Sequence, residues 1–327
     1  MKLPALLNTF LVALFVGAGG LDAATEADAV VAVDGSGQYR SVQEAINAAP
    51  QLAAPGKTWT ILVKSGTYAE VVYIQREKRF VRLVGENAGT TRITASLAAK
   101  TPGPDGKPLG TFRTATVQID ADDFAVEKIT FENAAGPVGQ ALALRVDGDR
   151  VVFRDCRFLG WQDTILVNRG RHYFKNCFVA GATDFIFGGA ISYFDGCSIR
   201  CDGSGYITAA STPKEQPHGL IFSRCKIAGA NPEVRTFLGR PWRQYAMTVF
   251  LDCEMSDVVR PEGWHNWKQP EREQTARYAE HANTGSGADA AKRVPWAKQL
   301  TPETAAGLTA EKVLAGQDGW RPDTTNP

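Results

Sequence analysis

The segment Phe153-Arg-Asp-Cys156-Arg-Phe158 is one copy of a pattern that recurs four more times in the chain. The other copies are Phe174-Lys-Asn-Cys177-Phe-Val179, Phe194-Asp-Gly-Cys197-Ser-Ile199, Phe222-Ser-Arg-Cys225-Lys-Ile227 and Phe250-Leu-Asp-Cys253-Glu-Met255. A sixth unit without Phe and Cys, Val126-Glu-Lys-Ile129-Thr-Phe131, precedes them, and the fourth residues of successive units are 27, 21, 20, 28 and 28 residues apart. Such units are too short for a βαβ element and lack helical periodicity, so they predict the coils of a parallel β-helix.

The residue before each cysteine indicates how the two repeated side chains can share one face. In most copies it is Asp, Asn or Gly, which tolerate a left-handed backbone. A bend there lets Phe and Cys, three positions apart, both face inward, whereas a straight strand would place them on opposite faces. We therefore predict that phenylalanines stack on one another along the core and that cysteines do the same.

The segments outside the repeat predict further strands and short helices. We expect strands at 81–85 and 115–119, an exposed loop at 97–111 and two short C-terminal helices opened by Thr301 and Thr309. A helix at 41–49, with Ser41 as N-cap and Glu44 three residues later, should cover the N-terminal end of the core. The prediction is an all-β, single-stranded parallel β-helix with short N- and C-terminal capping helices.

The chain termini predict export and a short tail. Lys2 precedes a chargeless stretch from Leu3 to Leu21 that ends in small residues, which is typical of a signal peptide, here placed at 1–23. The alternative is an uncleaved membrane anchor, because the stretch approaches the roughly 20 residues that span a bilayer. We expect a secreted or periplasmic protein without stable membrane association, one domain at 27–322 and a disordered tail at 323–327.

The composition excludes several classes of protein. The chain has 327 residues, 44% of them hydrophobic, with 36 Lys plus Arg against 35 Asp plus Glu. These values exclude disorder and small disulfide scaffolds. The formal charge of +1 provides no global field for nucleic acid, so we expect no nucleic-acid partner. A solenoid with covered ends has no need to associate, and we expect a monomer.

The repeat also places two acidic residues side by side. Asp163 lies seven residues after Cys156, and Asp184 lies seven after Cys177, so adjacent coils should carry them one above the other, with backbones about 5 Å apart. The same offset in the next coils gives no further acid. Two such carboxyls should share a proton and suit one nucleophile and one general acid. The alternative is a pair of turn residues that bind backbone amides.

Four segments in order resemble the signatures of the pectin methylesterase (pectinesterase) family: Gln140-Ala-Leu-Ala-Leu-Arg145, Gly160-Trp-Gln-Asp-Thr164, Gly181-Ala-Thr-Asp-Phe-Ile-Phe-Gly188 and Leu238-Gly-Arg-Pro-Trp242. The segments Gly37-Gln-Tyr-Arg-Ser-Val-Gln-Glu-Ala-Ile46, Gly66-Thr-Tyr-Ala-Glu70, Tyr206-Ile-Thr-Ala209 and Arg293-Val-Pro-Trp296 are also similar. The resemblance spans nearly the whole chain after the signal peptide. It implies a right-handed parallel β-helix that hydrolyses C6 methyl esters of galacturonate in pectin and releases methanol without a metal or cofactor.

The same resemblance implies the catalytic roles. Asp184 is the expected nucleophile and Asp163 the expected general acid and base. Gln162 and Gln140 are the expected donors to the oxyanion, although turn backbones could equally occupy these amides. Arg240 is expected to hold Asp184 ionised through its planar guanidinium.

Sugar rings stack on aromatic side chains, which predicts the substrate contacts. Trp242 is the main candidate platform, with Trp161 as a second. Phe187 is a further candidate, although either Phe187 or Phe185 could belong to the core. Thr91, or Thr90 beside it, and Gln118 complete the expected cleft residues.

The remaining polar and sulfur-containing residues predict no other chemistry. The four His are scattered without metal spacing, and we expect them at the surface or in loops. Cys177 and Cys197 occupy equivalent places on adjacent coils, which allows either a disulfide or two buried thiols.

Two alternatives to the esterase remain at this point. A polysaccharide lyase or glycosidase could use the same scaffold, since a retaining glycosidase also uses two carboxyls about 5 Å apart. A non-catalytic carbohydrate-binding β-helix would need no acid pair.

Overall fold

The computed structural model describes residues 27–51 and 56–322. The predicted signal peptide and tail lie outside these residues. The strands of the described part are, in chain order, β1 (Ala29–Val31), β2 (Trp59–Val63), β3 (Gly66–Ala69), β4 (Val72–Ile74), β5 (Val81–Gly85), β6 (Thr91–Ala95), β7 (Val117–Ile119), β8 (Ala125–Glu127), β9 (Thr130–Asn133), β10 (Leu144–Val146), β11 (Val151–Arg154), β12 (Arg157–Leu159), β13 (Ile165–Val167), β14 (Arg171–Lys175), β15 (Phe178–Gly188), β16 (Ile191–Asp195), β17 (Ser198–Ala210), β18 (Leu220–Ser223), β19 (Lys226–Gly229), β20 (Thr236–Gly239), β21 (Met247–Leu251), β22 (Glu254–Met255), β23 (Arg277–His281) and β24 (Lys298–Gln299).

All paired strands run parallel and form three faces of a parallel β-helix, which confirms the predicted fold class. The first sheet runs β1-β2-β5-β8-β11-β14-β16-β18-β21-β23-β24. The second runs β3-β6-β9-β12 and continues through the first halves of β15 and β17 to β19 and β22. The third runs β4-β7-β10-β13 and continues through the second halves of β15 and β17 to β20.

The inner stack of phenylalanines is present in register. Phe153 pairs with Phe174, and the ladder continues through Phe194 and Phe222 to Phe250. Consecutive rings are stacked nearly parallel, with centroids 4.4 to 4.7 Å apart. These fully buried rings form the centre of the hydrophobic core.

The left-handed bends that the repeat predicts precede every repeated cysteine, with φ between 52° and 62° at Asp155, Asn176, Gly196, Arg224 and Asp252. The cysteines that follow are buried free thiols, so the structure has no bridge between Cys177 and Cys197. The Sγ atom of Cys177 donates to the carbonyl oxygen of Phe153 at 3.6 Å, and Cys197 donates likewise to Phe174 at 3.5 Å.

Short helices flank the coils. Helix α1 (Val42–Ala48) buries Val42, Ala45 and Ile46 against the first coil, and the Ser41 hydroxyl accepts from the amide of Glu44 as predicted. Helices α2 (Pro302–Ala306) and α3 (Ala310–Leu314) begin after Thr301 and Thr309, also as predicted. Val313 and Leu314 of α3 pack on the outer face of the first sheet. In the described part of the chain, no helix is long and apolar enough to cross a membrane.

Candidate active site

Asp163 and Asp184 occupy equivalent positions on adjacent coils, in the register that the repeat predicts. Gln162 pairs with Thr183 immediately before them, and Ile165 pairs with Ile186 two residues after them. Both aspartates have a left-handed backbone, with φ of 63° and 50°, which Asp tolerates better than most residues. The bend turns both side chains out of the coil toward the same face.

The two carboxyls are buried but make different contacts. Asp163 is 8% exposed and Asp184 is 6% exposed. Arg240 donates from Nε to Oδ1 of Asp184 at 2.9 Å and from Nη2 to Oδ2 at 2.6 Å. Within the described ranges, no group donates a hydrogen bond to the Asp163 carboxyl, and no backbone amide donates to either carboxyl. The geometry therefore disfavours the alternative in which both acids serve as turn caps.

This asymmetry separates the protonation states of the pair. Burial, followed by the negative charge of Asp184, raises the pKa of Asp163 to about 8, although Arg240 opposes the rise. Burial also raises the pKa of Asp184, but the hydrogen bonds and charge of Arg240 act in the opposite direction. Because Arg240 favours the charged form of Asp184, one proton is held at neutral pH, and it resides on Asp163.

Arg240 is itself held between the acid pair and two aromatic rings. Its guanidinium carbon lies 3.8 Å from the ring centroid of Tyr206 and 3.7 Å from that of Trp267. Tyr206 was noted in the sequence only as part of a segment similar to the family. Trp267 was not predicted, because the sequence around it does not belong to the repeat. Such contacts fix the orientation of the planar Arg240 guanidinium and stabilise its positive charge.

Gln140 and Gln162 are stacked across adjacent coils next to the acid pair. Their backbones form a parallel β-bridge, so Gln140 lies beside Gln162 on the adjacent coil. The sequence did not predict this pairing because the coil that contains Gln140 has a different length. Both residues are partly exposed, and neither side-chain amide has a hydrogen-bond partner among the described residues. Two amides that are not engaged by turn backbones are available as donors to a bound group.

These side chains converge on one cavity of about 260 Å³. Seven of the predicted site residues line it: Asp163, Asp184, Gln140, Gln162, Arg240, Trp242 and Phe187. Phe187 packs edge-on against Trp242, with ring centroids 5.7 Å apart. Phe185 is the member of the Phe pair that belongs to the core. Thr111, Phe112, Ala209 and Trp267, which the sequence analysis did not select, complete the lining.

Three of the predicted cleft residues lie outside this cavity. Trp161 lines a neighbouring groove, where its ring lies close to Gly203. Thr91 is fully buried in β6, on the second sheet. Gln118 lies on the third sheet, three strands from Phe187, and donates to Asp120 at 2.9 Å. The repeat begins at β8, downstream of β6 and β7, which explains why the spacing of the repeat could not place Thr91 and Gln118.

One of the four His lies in the core of the β-helix. The expectation that all four His lie at the surface or in loops is wrong for His172, which is fully buried in strand β14 and contacts Ser192 Oγ and the Gly148 carbonyl oxygen. Burial lowers the pKa of His172 to about 4, so it is a neutral core residue. Across residues 27–51 and 56–322, no group of three or more His, Cys, Asp or Glu could hold a metal ion.

Comparison with known proteins identifies relatives over nearly the whole described chain. Residues 28–317 match the family model described as Pectinesterase. Pectinesterase 31 of Arabidopsis thaliana is 38% identical over 281 residues, which is 84% of this chain and 88% of that protein. The pectin methylesterase from carrot superposes with a TM-score of 0.83 at 36% identity, covering 90% of this chain and 95% of that one.

A further solved structure contains a bound oligosaccharide. It is a mutant pectin methylesterase in complex with a hexasaccharide, with a TM-score of 0.80 at 30% identity, covering 91% of this chain and 99% of that one. The family match at 28–317 spans the coils that carry the acid pair and Arg240. The chain belongs to the pectinesterase family.

Proposed function

We propose that this chain is an esterase that removes C6 methyl esters from galacturonate units of pectin, giving pectate and methanol. The observation that carries the proposal is the acid pair, in which a protonated Asp163 and an arginine-bound Asp184 line the same cavity. The similarity to pectin methylesterases, one of them solved with a hexasaccharide, supports pectin as the substrate.

In the first half of the reaction, Asp184 attacks the ester carbonyl carbon and forms a tetrahedral oxyanion. Gln140 and Gln162 donate to that oxyanion, and a pair of neutral amides suits this role because neither carries a charge that titrates. Collapse breaks the bond to the methoxy oxygen, which takes the proton of Asp163 and leaves as methanol. An anhydride joins Asp184 to the substrate.

In the second half, Asp163 is the carboxylate and acts as a base. It takes a proton from a water molecule that attacks the anhydride. The products are galacturonate, the Asp184 carboxylate and one proton released to solvent, and Asp163 is protonated again. The first half requires a protonated Asp163 and a charged Asp184, which is the state that burial and Arg240 favour in the free enzyme.

We also propose that the enzyme acts outside the cell as a monomer. The support is the signal-peptide pattern at 1–23 and, for the monomer, helix α1, which packs against the first coil. Mass spectrometry of protein recovered from the culture medium tests cleavage near residue 23, and light scattering tests the monomer.

Product analysis tests the proposed chemistry. The protein is incubated with highly methylated pectin, and methanol, new reducing ends and unsaturated ends are measured in the same samples. An esterase releases methanol without new chain ends. Reducing ends without methanol indicate a glycosidase, unsaturated ends indicate a lyase, and no product at all indicates a binding protein.

A further inference from the structure

The loop that follows Arg240 is held by a neighbouring segment of the chain, residues 265–277, which we call the clasp. The loop, residues 240–246, carries Arg240 and Trp242 into the cavity. Since both side chains must be placed accurately against Asp184 and the substrate, what fixes the backbone of this loop bears directly on the reaction.

Side chains of the clasp donate hydrogen bonds to four backbone carbonyl groups of the loop. Arg272 donates from Nη1 to the carbonyl oxygen of Pro241 and, at 3.3 Å, to that of Trp242. The Thr275 hydroxyl donates to the Gln244 carbonyl at 2.6 Å. Arg277 donates from its side chain to the Tyr245 carbonyl at 3.0 and 3.1 Å.

The charged guanidinium of Arg272 donates its hydrogen bonds to these carbonyl oxygens. Arg272 is half-buried and forms no ion pair with any residue that the structure describes. Hydrogen bonds from a charged donor are stronger than neutral ones, so a single guanidinium fixes two consecutive peptide groups of the loop. The peptide groups concerned directly follow Arg240.

The same segment contacts Arg240 from the side. Trp267, whose ring lies 3.7 Å from the Arg240 guanidinium carbon, belongs to the clasp. Trp267 and Lys268 have φ of 61° and 56°, which is uncommon for two consecutive residues other than glycine. Asn266 donates to Glu273 at 2.7 Å across this turn and ties it to the part that carries Arg272.

We infer that the clasp positions the Arg240 loop for catalysis and that Arg272 is its principal positioning residue. Arg272 lines no part of the cavity and acts through the backbone of Pro241 and Trp242. The inference rests on the proposed esterase function for its kinetic consequence, but the placement of Arg240 can be measured separately.

The kinetic test compares R272A, R272K and the matched control R235A. Arg235 also binds two backbone carbonyls, those of Pro232 and Val234, in a loop that lies outside the cavity. We expect R272A to lower kcat for methanol release by about 10- to 100-fold and R235A to change it by less than about twofold. R272K keeps the charge and can donate to both carbonyls, so it should recover part of the loss. R272Q replaces R272A if the alanine variant does not fold.

A second readout does not depend on activity. The side-chain Nε–Hε NMR resonance of Arg240, assigned by its absence from R240K, should shift in R272A, return toward the wild-type position in R272K and stay unchanged in R235A. If the wild-type protein releases no methanol, the proposed function fails and this resonance alone decides the inference. An unchanged Arg240 resonance in R272A, or a kcat for R272A equal to that of R235A, overturns it.

Discussion

We expect the replacement Asp163→Asn to stabilise the protein against unfolding by an amount that increases with pH. In the folded protein the pKa of Asp163 is raised from 3.8 to about 8 by burial and by the charge of Asp184. Between these two values the folded state holds a proton that the unfolded state has lost, so the free energy of unfolding falls as pH rises. The contribution of the group is complete below the unfolded pKa and is lost by the time pH passes the folded one.

The expected change in the free energy of unfolding corresponds to one proton that the folded state binds and the unfolded state releases. The titration of Asp163 alone should lower the wild-type free energy of unfolding by about 1.4 kcal/mol for each pH unit between about pH 4 and pH 8. The asparagine variant lacks this titration. Its stability relative to the wild type should therefore increase by about 3 kcal/mol between about pH 5 and pH 7.

Urea unfolding followed by tryptophan fluorescence and circular dichroism at both pH values measures this difference. Asp155→Asn is the matched control, because it places an amide at an exposed position of the same coil with a similar left-handed φ of 53°. If the difference between Asp163→Asn and the wild type is the same at both pH values, Asp163 is not protonated near neutrality and the assignment of the general acid is refuted.

Three further predictions concern activity and are measured by methanol release. Arg240→Lys replaces a two-bond fork by one ammonium, and we expect kcat to fall by roughly 10- to 100-fold, whereas a change of less than threefold would show that the fork is dispensable. The wild-type kcat/KM should decline as pH rises through about 8, because Asp163 loses the proton that methoxide needs, and a profile that stays flat well above this pH would contradict that role. Trp242→Ala should raise KM more than it lowers kcat, because the ring lines the cavity beside Phe187 and offers an apolar face to a sugar, and an unchanged KM would exclude it as a platform.

The sequence repeat predicts most of the fold and the position of the two acidic residues at the centre of the site. Each coil repeats Phe and Cys at one spacing, and each of the two Asp lies seven residues after a repeated Cys. This constant offset predicts that Asp163 and Asp184 lie one above the other, as the structure has them. The positive φ before four of the five repeated Cys follows from the Asp, Asn or Gly at that position, and Arg224 adopts the same φ without being such a residue. Arg240, by contrast, came from the family resemblance, since the local sequence around it has no periodic signal.

The parts that the sequence did not predict depend on contacts between irregular segments. Trp267 and Arg272 lie in the clasp, which is joined by hydrogen bonds to the 240–246 loop, and no repeat relates these two segments. Gln118 and Thr91 lie on coils upstream of the repeat, where strand spacing gave no register. His172 is buried because Ser192 and a backbone carbonyl satisfy both ring nitrogens, a pairing between coils that its own sequence neighbours do not reveal.

The rate of methanol release by Asp184→Asn tests the covalent role of Asp184 most directly. Asparagine keeps the size of the side chain but is a far weaker nucleophile, so at saturating methylated pectin we expect kcat to fall by at least about a thousandfold while circular dichroism shows an intact β-helix. A folded Asp184→Asn protein that releases methanol within tenfold of the wild-type rate would show that the ester is cleaved without attack by this carboxylate.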